Sequence, residues 1–297
     1  MTARYALLAL GIAGLSMAGI FYSLAHAPVV TVVAYRMVFA AVLMLPVALV
    51  ARGRGAPQTR AAFTRADLWT TAGAGALFAL DLIVWAISLK FTTVASAALF
   101  VSTHPIFVAL LAWAIFRERP TPLMLLGIAV GIVGITIVAY QDLALSGRAL
   151  FGDGLALLAA FAETGYLLCG RSVRRRIDAP RYAFGVYTTC AAFVCVVVLV
   201  SGSGFAISSH DLLLALGLAV VATALGHTLV SQSLGYMPAA VVAVSFLAQP
   251  LMAAFFAYAF LGQMIPLTTA LGGLIALAGI GVVAYANERL PAEPLEM

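Results

Sequence analysis

Charge is what this sequence has least of. Charged residues make up only 9% of its 297 residues and apolar residues 64%, whereas soluble domains have about 25% and about 45–50%. So little charge cannot cover a water-exposed surface, which excludes an ordinary soluble protein. The apolar residues form long unbroken runs rich in alanine and glycine. Such runs favour a bundle of membrane-spanning helices, because a barrel needs short alternating segments.

Cysteines and catalytic motifs are also scarce. The three cysteines, Cys169, Cys190 and Cys195, lie within or at the end of apolar runs without the spacing of metal ligands, and we interpret them as small buried hydrophobic residues. The sequence has no HExxH, no GxSxG and no glycine-rich phosphate loop. We therefore expect no enzyme activity, no cofactor and no metal.

The N-terminal run resembles a signal peptide at one point only. Ala25-His26-Ala27 is similar to a signal-peptidase site, but the apolar run before it, Tyr5 to Leu24, has the length of a membrane span of about 20 residues. We interpret this run as a retained first helix.

Ten apolar segments are long enough to span a membrane, and they leave room for one membrane domain and no soluble domain. Aspartates at 67, 153 and 211 are interpreted as N-caps, and prolines stand near several helix starts. The segments are 5–24, 31–51, 68–89, 92–116, 122–140, 153–171, 181–201, 211–234, 238–261 and 266–286.

The positive charges are unevenly divided between the two sides of this layout. Thirteen arginines fall on the side of the N-terminus, whereas only Lys90 and Arg148 fall on the other side and Arg36 lies inside a span. Since positive loops stay inside, both termini are predicted in the cytoplasm of a bacterial-type inner membrane. The same bias explains the formal net charge of +5 without a nucleic-acid partner.

The chain contains an internal duplication. A shift of 145 residues aligns 88–140 with 233–285 without a gap, and 15 of the 53 pairs are identical, among them Pro105/Pro250, Gly127/Gly272 and Tyr140/Tyr285. Each half, 1–146 and 147–297, holds five spans, and an odd number places the second half in the membrane in the opposite sense. Two inverted five-helix repeats are typical of transporters that open a midplane site to one side and then the other.

Two copies of a small-residue helix with a central proline and a glycine-rich helix carry a family resemblance. They read AALFVSTHPIFVALLAWAIFRERPTPLMLLGIAVGIVGITIVAY and VAVSFLAQPLMAAFFAYAFLGQMIPLTTALGGLIALAGIGVVAY. The chain resembles the ten-helix EamA-type exporters of the drug/metabolite transporter superfamily, most of all the bacterial amino-acid exporters, including those for aromatic amino acids. The acidic residue that the family usually has after the fourth and ninth helices is matched by Glu118 but replaced by Gln263.

Three charged residues lie clearly within spans, where a charge is expensive unless it faces a wet cavity or a partner. Asp81 shares one helical face with Phe78 and Trp85, which suits a cavity for an amine or a ring; the alternative is a structural pair with Arg36. Glu163, with Tyr166 on the same face, is expected to bind a substrate amine or carry a coupling proton, or else to bond a neighbouring helix. Arg36 either snorkels to the interface or recognises a carboxylate.

His104 and Gln249 occupy corresponding positions in the two repeats, each directly before a proline. Because proline frees a carbonyl one turn earlier, Pro105 and Pro250 are candidate gating residues in helices that, by the resemblance, border the central cavity. Kinks that serve packing alone are the alternative. His227 is either a packed histidine or a cavity residue.

Further candidates are aromatic residues and small residues. Tyr22 and Phe100 join Phe78, Trp85 and Tyr166 as candidates for a ring-accepting cavity, although apolar spans often contain rings that only pack. Gly127 and Gly131 form a GxxxG motif. We interpret it as a contact that packs helices within the bundle or as the contact of a homodimer through helices 5 and 10. Without such a dimer contact the protein is expected to be a monomer.

An exporter of small metabolites in the lipid bilayer is the function that these features favour. Amino acids, aromatic or other neutral, are the expected cargo, with amphipathic drugs as an alternative. A passive channel lacks a ring of charges, and an intramembrane enzyme would have to assemble a site from polar groups scattered singly over different spans.

Overall fold

Helices make up nearly all of the structure, a computed structural model in which residues 2–54, 62–104, 106–107, 110–111, 114, 121–173, 176–227, 229 and 248–288 are described. No β-strand occurs among these residues, so the expected all-α fold class is confirmed. The helices are α1 (Thr2–Ser16), α2 (Ala18–Leu24), α3 (Val29–Arg54), α4 (Arg65–Ser88), α5 (Val94–Val101), α6 (Pro122–Leu145), α7 (Gly147–Val173), α8 (Ala179–Ser201), α9 (Ser209–Gly217), a π-helical segment (Leu218–His227), α10 (Ala248–Leu261) and α11 (Leu267–Glu288).

Most of the predicted spans appear as helices. Within the described residues, seven helical stretches are long and apolar enough to cross a membrane. Two shorter apolar helices, Ala248–Leu261 and Leu267–Val283, fall in the last two predicted spans. Parts of the fourth, eighth and ninth predicted spans lie outside the described residues, so the count of ten stays a prediction. The seven stretches are Ala6–Leu24, Val29–Ala51, Arg65–Ser88, Pro122–Tyr140, Gly147–Gly170, Ala179–Ser201 and Ser209–Gly226.

The outer surface of the bundle is apolar. Large hydrophobic side chains project from it along several helices, and Val200, for example, is 82% exposed. Apolar surface of this extent is not tolerated in water, whereas it matches the hydrocarbon core of a bilayer. The protein is therefore an integral membrane protein.

None of the three aspartates that the sequence predicts as N-caps is the N-cap of its helix. Asp67 and Asp211 are third residues of their helices, and the N-caps are Thr64 and Ser208, whose hydroxyls accept the backbone N–H groups of the two aspartates. A hydroxyl at the N-cap with a carboxylate three residues later satisfies the unpaired donors of the first turn. Asp153 lies inside α7, a helix that begins six residues before it.

Helix packing follows the duplication. Exchanging the two halves by the shift of 145 residues turns the contact of α4 with α7 into that of the π-helical segment with α1. The contacts of α3 with α8 and of α6 with α11 map onto themselves. Two structurally equivalent repeats therefore build the bundle, whereas the division into 1–146 and 147–297 stays a prediction.

The contact of α6 with α11 shows how the repeats are related. A Cβ atom on Gly127 would lie 2.8 Å from the Gly279 carbonyl oxygen, and one on Gly272 would lie 3.0 Å from the Gly134 carbonyl oxygen. These are the same contact seen from each repeat, because residue 127 corresponds to 272 and 134 to 279. From Gly127 to Gly134 the residue numbers increase along α6, while the contacted residues on α11 decrease from Gly279 to Gly272. The two helices are therefore antiparallel, as inverted repeats require.

The GxxxG face of α6 is thus occupied by α11 of the same chain. Glycines at this crossing allow the two backbones to approach closely. A homodimer through these two helices stays a prediction, and it would have to use their other faces.

Gln263 contacts the other repeat. It stands at the position where the family resemblance predicts an acidic residue. Its Oε1 atom accepts a hydrogen bond from the Val94 N–H at the start of α5, at 3.1 Å. The uncharged amide of Gln263 thus supplies the hydrogen-bond acceptor that a carboxylate would otherwise supply. Because Val94 is only 1% exposed, its N–H would be left without an acceptor if the amide were lost.

We expect Gln263→Leu to lower the free energy of unfolding by about 1 kcal/mol, the usual cost of removing a helix cap. Gln263→Glu keeps an acceptor oxygen and should stay close to wild type. Thermal unfolding in detergent measures both variants, and an equal loss for the two would contradict this role of the amide oxygen.

Candidate functional site

A cavity of about 80 Å³ lies inside the bundle, and both repeats contribute to its walls. Its lining contains two carboxylates, one guanidinium, one amide and two aromatic rings, with small apolar side chains between them. Such a volume holds several water molecules, and the polar groups supply their partners. The lining residues are Leu15, Ala18, Arg36, Phe78, Asp81, Leu82, Trp85, Val101, Glu163, Ala222 and Gln249.

One face of α4 forms a wall of this cavity. Phe78, Asp81 and Trp85 all line it, because residues three and four apart share a helical face. Asp81 is only 6% exposed. Among the described residues, no salt bridge of 4.0 Å or less joins it to Arg36 or to any other basic group, so its carboxylate faces the cavity rather than a fixed partner.

Arg36 also lines the cavity and is held in place by two hydroxyls. Its Nε atom donates to Thr223 Oγ1 at 3.0 Å, and its Nη1 atom donates to the Tyr22 hydroxyl oxygen at 3.1 Å. Thr223 in turn donates to the carbonyl oxygen of Leu218, five residues earlier, which is the spacing of a π-helix. No described residue accepts from Nη2, so one edge of the guanidinium is available to a ligand.

Glu163 on α7 contacts His104. The Nδ1 atom of His104 lies 3.5 Å from Glu163 Oε2 and 3.4 Å from the Val101 carbonyl oxygen. Since both neighbours are acceptors, we assign the ring proton to Nδ1. The same helix fixes the backbone there, because Thr164 Oγ1 donates to the His104 carbonyl oxygen at 3.2 Å.

Helix α5 ends at Val101, four residues before Pro105. Proline has no N–H to donate to the carbonyl oxygen four residues earlier, and the His104 ring lies close to that oxygen. Position 105 itself lies outside the described residues. In the second repeat Pro250 is buried near the start of the described part of α10, and the residues before 248 are not described, so gating at either proline stays a prediction.

Aromatic residues surround the charged groups. The rings of Phe78 and Tyr166 are stacked with centroids 5.0 Å apart, and Trp85 meets Tyr22 edge to face at 6.0 Å. The buried Trp85 Nε1–H has no acceptor among the described residues. A buried indole donor normally finds a partner, so this N–H is a candidate for binding a ligand.

Some predicted residues lie away from the cavity surface. Tyr22 and Tyr166 stand behind the lining and contact Arg36 and Phe78. Phe100 is not among the lining residues, because it packs into the core that α5 shares with α6 and α11. The side chain of His227 lies outside the described part of the structure.

Residues 2–140 match the EamA-like transporter family, and residues 150–285 match it again. The chain belongs to the EamA-like transporter family. The expected superfamily is thereby confirmed, and the two matches cover the two repeats.

Two proteins similar to this EamA-like transporter have low sequence identity to it. An uncharacterized transporter of Archaeoglobus fulgidus (strain ATCC 49558 / DSM 4304 / JCM 9628 / NBRC 100126 / VC-16) is 24% identical over 253 residues, which are 83% of this chain and 84% of the relative. A protein of known crystal structure matches with a TM-score of 0.65 at 18% identity, over 97% of this chain and 99% of that one. The structural match concerns the fold alone.

The structure corrects one interpretation of an embedded charge. Arg36 is 3% exposed and bonded inside the bundle, so the interpretation that it snorkels to the membrane interface is wrong. Recognition of a carboxylate is the alternative interpretation of Arg36, and its charge within a span is the sequence signal for it. Thr223, which holds it, had no such signal, because a threonine in an apolar span is common.

Proposed function

We propose that this EamA-like transporter exports amino acids, aromatic or other neutral, and related amphipathic compounds from the cytoplasm through the cavity between its repeats. The observation that carries this proposal is the presence of carboxylates, a guanidinium and aromatic rings in one cavity. A zwitterion with an apolar side chain offers the complement of each group.

Each part of an amino acid has a matching group on the cavity wall. The ammonium group binds Asp81, with Glu163 as a second acceptor. The carboxylate binds the open edge of Arg36 and the indole N–H of Trp85. An apolar side chain packs on the ring of Phe78. Both charged ends must be bound, because an unpaired charge is expensive inside a membrane protein.

Alternating access follows from the pseudo-symmetric packing. Both repeats line the cavity, so movement of one repeat against the other would open it to cargo. We infer that the fourth and ninth predicted spans bend near Pro105 and Pro250 to open the cavity first to the cytoplasm and then to the outside. The arginine bias supports cytoplasmic termini in a bacterial-type inner membrane.

Counterflow in proteoliposomes tests the function. Vesicles loaded with unlabelled phenylalanine should take up labelled phenylalanine faster than empty vesicles do. Loading with phenethylamine, which lacks the carboxylate, or with phenylpropionate, which lacks the ammonium group, should give much less stimulation. Equal stimulation by all three compounds would contradict recognition of a zwitterion, and rapid flux without stimulation by loaded amino acid would indicate a channel.

Trp85→Phe removes one hydrogen-bond donor and retains an aromatic ring. We expect the KM for phenylalanine to rise about tenfold, because a hydrogen bond to a charged group contributes about 1.5–3 kcal/mol. Any residual transport of phenethylamine should be unchanged. Concentration-dependent counterflow measures both, and an equal loss for amino acid and amine would show that the indole acts by packing alone.

A further inference from the structure

A second cluster of ligand-type side chains lies at one end of the bundle, away from the cavity. His26 stands in the connection between α2 and α3, and His210 and Asp211 stand in the first turn of α9. The imidazoles are 85% and 58% exposed, whereas the Asp211 carboxylate is only 4% exposed. The cluster joins a connection of the first repeat to a helix of the second.

Asp211 is fixed by its backbone and hydroxyl partners. Its Oδ1 atom accepts the His26 N–H at 3.0 Å, and its Oδ2 atom accepts the Ala27 N–H at 3.1 Å and the Ser208 hydroxyl at 3.0 Å. A carboxylate has about four acceptor positions. Three are filled in this way, and the fourth, on Oδ1, lies within hydrogen-bond distance of His210 Nδ1.

Both imidazoles present a nitrogen to that oxygen. The Nδ1 atoms of His26 and His210 lie 3.9 Å and 3.3 Å from Asp211 Oδ1, and one ligand atom from each of the three residues lies within 4.8 Å of the others. Around Zn²⁺, bonds of about 2.0–2.2 Å place tetrahedral ligand atoms roughly 3.3 Å apart. Small rotations of the two exposed rings would close this difference.

We propose that His26, His210 and Asp211 bind a divalent metal ion such as Zn²⁺. Two imidazole nitrogens and one carboxylate oxygen suit Zn²⁺, Ni²⁺ or Cu²⁺, whereas Mg²⁺ and Ca²⁺ prefer oxygen ligands alone. Three protein ligands leave a fourth position for water. A bound ion links the two repeats at the end of the bundle that the arginine bias assigns to the outside, and it would resist their separation there.

Metal binding to the purified, tag-free protein in detergent tests this site directly. Isothermal titration with Zn²⁺ should give one ion per chain, and Co²⁺ should give the visible absorption of a tetrahedral complex. The variant His26→Ala/His210→Ala should lose at least about tenfold in affinity. Asp211 is left unchanged because it also holds the start of α9.

A matched control removes a histidine elsewhere. His104→Gln takes away the histidine beside Glu163 and should bind Zn²⁺ like wild type. Unaltered binding by the double variant, loss of binding in His104→Gln, or no binding by wild type would each overturn the proposal. None of these readouts depends on transport, so failure of this site and failure of the proposed cargo are distinguishable.

Discussion

Asp81→Asn is expected to slow phenylalanine counterflow by at least about tenfold. The asparagine keeps the shape of the side chain but has no negative charge for the ammonium group. Loss of a hydrogen bond to a charged group costs about 1.5–3 kcal/mol, and 1.4 kcal/mol corresponds to a factor of ten. Counterflow into proteoliposomes of equal protein content measures the change.

Asp67→Asn is the matched control for this substitution. Asp67 lies at the start of the same helix in the capping contact with Thr64 and does not line the cavity. Asparagine preserves an acceptor oxygen at that position, so transport should stay close to wild type. Normal counterflow by correctly folded Asp81→Asn protein would remove Asp81 from the cargo site and contradict the proposed recognition.

Gly279→Ala is expected to destabilise the protein by about 3 kcal/mol. A Cβ atom at this position would lie 2.3 Å from the Gly131 backbone nitrogen and 2.6 Å from the Gly127 carbonyl oxygen. These are backbone atoms of α6 and cannot rotate away, so the two helices must separate. Overpacking of this kind typically costs about 1–3 kcal/mol, and contact with backbone favours the upper end of that range.

The same substitution on α7 provides the comparison. A Cβ atom on Gly154 would meet nothing within 4 Å. Because alanine is a better helix former than glycine by about 1 kcal/mol, Gly154→Ala should be neutral or slightly stabilising. Unfolding of both variants in mixed micelles measures the difference, and equal stabilities would contradict a tight antiparallel crossing of α6 and α11.

Much of the fold could be predicted from the sequence, because two of its signals are strong. Apolar runs of spanning length predict helices wherever they occur, and most of the predicted spans appear. The shift of 145 residues matched Gly127 with Gly272 and Gly134 with Gly279, the residues at the crossing of α6 and α11. The interruption of the eighth span by a π-helical segment was not predicted, because periodicity does not report hydrogen bonds five residues apart.

The candidate site could be predicted from the sequence only where its residues share a helix. The spacing of Phe78, Asp81 and Trp85 placed them on one face, and all three line the cavity. The contact between His104 and Glu163, by contrast, depends on how α7 packs against the first repeat. Sequence spacing likewise gives no sign that His26 lies beside His210, since the two come from different repeats.

The most direct test of cargo binding is a crystal structure of the protein with 4-bromophenylalanine, in which anomalous scattering locates the bromine atom. We expect one bromine peak beside the ring of Phe78, with the ammonium group at Asp81 and the carboxylate at Arg36 and the Trp85 indole nitrogen. The cavity around the bound compound should be larger than about 80 Å³. A bound compound with its charged groups away from Asp81 and Arg36, or a cavity that stays empty at saturating concentration, would contradict the account.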